Sequence, residues 1–138
     1  MIESTEWITI NVEPAGSPRP RVTKRGFAFM PEWYRRYMEI IKEELEKHNL
    51  KKEDYFKIQI VAKFKYPKST AKKNLIEDAL MRKKPDYDNT AKTITDVMEK
   101  MGLIENDSQI CDANIQKRYT INNGKIEIKL FYFKNDNI

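Results

Sequence analysis

The amino-acid sequence predicts an α/β chain of the mixed α+β kind: one domain over residues 1–138, with helices packed on a mixed β-sheet and a C-terminal β-hairpin. Three stretches carry that expectation. Residues 55–64 place Phe56, Ile58, Ile60, Ala62 and Phe64 at every second position, the period of a half-buried strand. From Asn89 the period lengthens to about 3.6, so that Ala91, Ile94, Val97, Met98 and Met101 share one side of a helix over roughly 120° of arc. Near the end, Cys111, Ala113, Ile115 and Tyr119 alternate, Asn122-Asn123-Gly124 offers a type I′ turn, and Ile126, Ile128, Leu130 and Tyr132 return as the partner strand.

The remaining elements follow in order. Residues 7–12 are β-branched and alternating, hence a strand. Pro14, Gly16, Pro18 and Pro20 then forbid regular structure, leaving a loop that carries Arg19 and Arg21. With Lys24 and Arg25 it forms a basic stretch suited to phosphates, or a plain solvated loop, before residues 26–29 close a short hairpin. Pro31 suits the first turn of a helix running to about Lys47, with Tyr34, Tyr37, Met38, Ile41 and Leu45 facing the core. His48 falls at its end, as a capping or surface residue. Pro67 ends the central strand, and Ser69 or Thr70 caps a short helix through Leu75, Ala79 and Leu80. Residues 63–84 hold Lys63, Lys65, Lys68, Lys72, Lys73, Arg82, Lys83 and Lys84, which read as a second, mobile phosphate-binding arm or as a solvated helix. Lys117 and Arg118 either reach DNA or face solvent.

Composition narrows the function. Lys and Arg number 26 against 21 Asp and Glu, a net charge of +5, which favours an anionic partner. A single His and a single Cys make a zinc site or a disulfide framework untenable. No apolar run approaches the 18–20 residues of a membrane span, so the expectation is a soluble cytoplasmic protein.

The chemistry concentrates in residues 84–110. Pro85 pushes Lys84 into extended backbone, and Asp86 and Asp88, two apart, can project to the same side about 6.5–7 Å from one another and share a cation. Asp88 or Asn89 caps the helix, and Gly102 ends it in a left-handed conformation. Lys92 stands four residues after Asp88 and four before Asp96, so an ammonium lies beside the acids. Asp107 is presented by a turn just before a strand, and would join the other two if that strand returned past the helix start. Oxygen donors of this kind suit magnesium, which is held by one or two carboxylates with waters and substrate phosphates. Each residue also has a bland reading: a cap, a solvated ion pair, a turn.

Lys84-Pro85-Asp86-Tyr87-Asp88-Asn89, Lys92, Asp96 and Glu105-Asn106-Asp107-Ser108-Gln109-Ile110 together resemble the signature of the RusA-type Holliday junction resolvases. Asn106 departs from it, since relatives frequently carry a second acid there. The resemblance implies a magnesium-dependent endonuclease, with manganese as a substitute, that resolves four-way junctions in recombination and repair by paired phosphodiester hydrolysis. It implies that Asp86, Asp88 and Asp107 bind the metal, that Lys92 assists, and that the protein is a homodimer. Arg19, Arg21, Lys24, Arg25, Lys68, Lys72, Lys73, Lys83, Lys84 and Asn89 are the expected DNA contacts. Two rivals remain: a branched-DNA-binding module that does not cut, and a nuclease of broader flap or fork specificity.

Overall fold

In the computed structural model, which describes residues 1–134, the longest strand is paired along both edges inside the sheet. The strands are β1 (Ile2–Ser4), β2 (Ile8–Ile10), β3 (Arg21–Val22), β4 (Ala28–Phe29), β5 (Asp54–Lys65), β6 (Asp112–Thr120) and β7 (Lys125–Phe133). The helices are α1 (Glu32–Glu46) and α2 (Tyr87–Lys100), with short 3-10 turns at Lys72–Asn74 and Asp107–Gln109. β5 pairs antiparallel with β7 and parallel with β6, while β1 and β2 lie end to end along the outer edge of β7. Parallel neighbours need a crossover, and α2 provides it between β5 and β6. This is what brings the start of α2 beside β6.

Both helices cover one face of the sheet. Ile58, Ile60, Ile126, Ile128, Leu130, Ile8 and Ile10 meet Tyr34, Ile41 and Leu45 of α1 and Ile94, Val97 and Met98 of α2 in one core. Each such side chain contributes about 1.5–3 kcal/mol by leaving water. The helices are locked by a hydrogen bond of 2.7 Å between the buried hydroxyls of Tyr34 and Thr93. A smaller cluster of Ala62, Phe64 and Met81 lies toward the far end of β5.

Several expectations need correction. β6 and β7 are not a hairpin: β5 lies between them, and residues 121–124 arch over its end. A type I′ turn requires positive φ at both central residues, and neither Asn122 nor Asn123 has it. Pairing β5 on both sides puts its buried residues in the centre, whereas β6, largely exposed, serves as an edge. Gly124 is needed instead for close approach, because a Cβ there would collide with Glu13, whose carboxylate accepts the Lys65 N–H. At the other end of β5 a bulge at Phe56 shifts the alternation, so Tyr55 enters the core and Phe56 stacks on Phe133.

The short helix expected after Ser69 is only the 3-10 turn Lys72–Asn74, and Leu75 and Leu80 are exposed rather than packed. What orders this arm is polar. Glu77 accepts from Thr120 Oγ1 and the Ile121 N–H, Asp78 sits at φ 65° with its N–H on the Tyr119 carbonyl, and Tyr66 bonds to Ile76. Lys63, expected among the phosphate-binding lysines, is instead half-buried and pairs with Asp78 at 3.0 Å, Glu127 at 3.6 Å and Glu77 at 3.9 Å. The arm is therefore anchored at residues 76–81.

Candidate active site

The site begins with how α2 starts. Its N-cap is Asp86 (φ −65°, ψ 153°), two residues earlier than the expected Asp88, and Asp88 falls in the first helical turn. The Asp86 side chain makes no capping bond; its carbonyl accepts the Thr90 N–H and Oγ1 at 3.0 Å, which makes Thr90 a buried residue and turns both acids outward. Carboxylates at a helix N-terminus are favoured by the exposed N–H groups and dipole there. Gly102 (φ 76°) closes the helix as expected.

After Gly102, Leu103 and Ile104 are buried and anchor the chain, and Asn106 caps the Asp107–Gln109 turn by accepting the Ser108 N–H at 2.8 Å. The Asn at the departing position thus has a structural role. The turn delivers the chain into β6 alongside α2.

Asp88, Asn89, Lys92 and Asp107 line one cavity of about 330 Å³, walled by Ile110, Ala113 and Ile115 from the start of β6. Asp86 is not part of it. Together with Asp88 and Tyr87, it lines an adjoining cleft of about 600 Å³ whose other walls are Arg82, Lys83, Lys84 and Lys117. Asp88 and Tyr87 are common to both. The Asp88 carboxylate accepts the Asn89 N–H at 2.9 Å, and Lys92 stands 3.8 Å from Asp96, the i,i+4 pair expected from spacing.

All three acids are exposed, and neither the Asp86 nor the Asp107 side chain has a hydrogen-bond or ion-pair partner among the described residues. Among those residues no three His, Cys, Asp or Glu side chains form a group able to enclose a metal ion. The donor set is oxygen only. It fits a hard cation taking two carboxylates and completing its shell with water and phosphate oxygens, rather than a three-carboxylate cage.

The first basic loop reaches the same place. The Ser17 N–H donates to the Asn89 carbonyl, and Gly16 packs so closely that a Cβ would stand 2.7 Å from the Pro85 Cβ. The Ala15 N–H donates to the Tyr37 hydroxyl, whose pKa burial pushes up to about 12. Arg19 and Arg21 thus extend from a loop seated on the start of α2, with Lys24 and Arg25 at the exposed β3–β4 turn. Lys68, Lys72 and Lys73 are exposed on the arm beyond the end of β5. The Arg118 guanidinium donates to the Asp78 carbonyl and to Gln116 Oε1.

Spacing alone misses Tyr87, Arg82 and Lys117 as members of the cleft. Arg82 and Tyr87 adjoin the motif, but Lys117 reaches it only because β6 lies beside α2. Among the described residues, no helix is long and apolar enough to cross a membrane. No curated protein matches the chain. The family model of endodeoxyribonuclease RusA, however, matches residues 11–131, a span that includes both basic segments, the three acids and Lys117. The chain belongs to the RusA endodeoxyribonuclease family.

Proposed function

We propose that the protein is a magnesium-dependent endonuclease that resolves four-way DNA junctions, working as a homodimer on cytoplasmic DNA in recombination and repair. The observation that supports it most is the shared cavity: in a chain of an endodeoxyribonuclease family, Asp88 and Asp107 face one space with Lys92, next to a cleft of cations. Asp88 and Asp107 would hold magnesium or manganese, and Asp86 would add its negative charge from the cleft side. Bound there, the metal supplies an activated water and positive charge at the scissile phosphate. Arg82, Lys83 and Lys84 hold the flanking phosphates, and Asn89 contacts the strand at the cavity rim. Lys92 offsets charge developing on the phosphoryl oxygens. The Arg19, Arg21, Lys24 and Arg25 loop and the Lys68, Lys72 and Lys73 arm extend the track for the backbone. Paired incisions require two such sites related by a two-fold axis, hence two copies.

The test is incubation with a synthetic four-way junction, and with flap, fork and duplex controls, in magnesium and then in EDTA. Symmetric cuts in the junction alone, abolished by EDTA, are expected. Binding without cutting would make the protein a branched-DNA-binding module, and equal cutting of flaps and forks would make it a broader nuclease.

A further inference from the structure

The segment that leads into Asp86 and α2, residues 82–85, has no regular structure of its own. Leu80 makes an isolated antiparallel bridge to Arg118, and the Met81 N–H donates to the Lys117 carbonyl at 3.0 Å. The next backbone anchor is the Asp86 carbonyl, bonded to Thr90 in α2. Between these two points, the hydrogen bonds made by residues 82–85 among the described residues are those from one ammonium: Lys117 Nζ donates to the carbonyls of Lys83 and Pro85.

Lys117 itself is firmly placed. It lies in the parallel ladder opposite Ala62, a fully buried residue of the central strand, and its side chain lines the cleft shared with Asp86 and Asp88. A lysine has three donors and no acceptor, so an ammonium can take two carbonyls at once where an apolar side chain of similar length can take none.

We propose that Lys117 is a positioning residue: its ammonium clamps the backbone of residues 83–85 to β6 and thereby sets where Asp86 and Asp88 stand. The link to cutting rests on the endonuclease reading above, but the clamp does not. The rival role for the same side chain is a direct phosphate contact.

Lys117→Met keeps the aliphatic stem and removes the donors, while Lys117→Arg keeps charge and donors. Four measurements separate the roles: hydrogen exchange of the Met81 and Thr90 amides in the free protein, manganese binding followed by the signal of free Mn²⁺, junction affinity in EDTA, and cleavage as a function of magnesium. In Lys117→Met, exchange of the Met81 and Thr90 amides, which bond to the Lys117 and Asp86 carbonyls at the two ends of the segment, should rise about tenfold while the core of α2 stays protected. Manganese affinity should fall about tenfold, the scale for losing a group that orients ligands. The magnesium needed for half-maximal cleavage should rise in parallel, junction affinity in EDTA should change by less than about twofold, and Lys117→Arg should recover most of each loss.

The clamp is overturned if Lys117→Met leaves exchange and manganese binding at wild-type values, and more so if it also weakens junction binding and flattens its salt dependence by one phosphate, the result a direct contact requires. If wild type cuts no junction but exchange still rises in Lys117→Met, the endonuclease reading fails and the clamp stands. Should Lys117→Met not fold, wild-type exchange and metal binding in Lys117→Arg support the clamp, and loss of both in that folded variant overturns it.

Discussion

Asp88 and Asp107 share a cavity with Lys92 while Asp86 faces the basic cleft, so the three carboxylates are not equivalent. Asn in place of any one keeps the size and removes the charge that a hard cation needs. Each of Asp86→Asn, Asp88→Asn and Asp107→Asn should bind a junction as tightly as wild type and cut it about a hundredfold more slowly, the scale of losing one electrostatic contact to the transition state. Lys92→Ala should impair cutting more than binding. Gel-shift and single-turnover assays on the same preparations check both, and wild-type cutting by all three Asn variants would make the acids structural. Gly16 is a second sensitive position. A Cβ there would press on Pro85, so Gly16→Ala should cost about 1–3 kcal/mol or lift the basic loop from α2. Urea denaturation reads the first effect, and weaker junction binding reads the second. The placing of Asp88 and Lys92 one turn apart at the start of α2 was legible in the sequence because spacing on a helix is local. Gly16 was not, because its neighbours Pro85 and Asn89 are far away in the chain.

At the scale of elements, the arm at residues 66–81 is held by ionic contacts rather than by a helix. Lys63 sits among Asp78, Glu127 and Glu77, and the hydrogen bond it donates to Asp78, reinforced by the charges of the acids, raises its pKa above the ordinary 10.5. A lysine whose folded pKa is raised stabilises the fold fully below its unfolded value, and that contribution is lost as pH climbs through the folded value. Lys63→Met should therefore lower stability by about 2 kcal/mol near neutral pH, with the gap from wild type closing above pH 10.5. Denaturation at pH 7 and at high pH tests the sign. Helices α1 and α2 and strand β5 were legible because their periods repeat over many residues. The short helix after Ser69 was misjudged: its apolar residues Leu75 and Leu80 found no surface to pack on, and Glu77 and Asp78 took over by bonding to β6.

For the whole molecule, the two basic segments both precede the acids in the chain, and the fold seats one on α2 and lays the other along β6. Neutralising several phosphates at once should make junction affinity fall steeply with salt, with a log–log slope of about −0.9 per phosphate. Lys72→Glu with Lys73→Glu should weaken binding and shallow that slope, whereas salt-independent affinity would remove the arms from the interface. Sedimentation at micromolar concentration should show a dimer; a monomer both free and on junction DNA would defeat the paired-cut mechanism.

By itself the sequence determined the mixed fold class, the two long helices and the central strand, all of which depend on period, capping and residue chemistry within a few positions. Only the tertiary structure decided that β5 separates β6 from β7, that Asp86 and Asp107 look into different spaces, and that Lys117 reaches back to residues 83–85. The physical reason is common to all three. The long strand β5 buries its alternating apolar residues by being paired along both edges, and that choice sets which strand lies beside α2. No local pattern around Asn122-Asn123-Gly124 or Lys117 records that choice, because the burial that drives it belongs to the whole core.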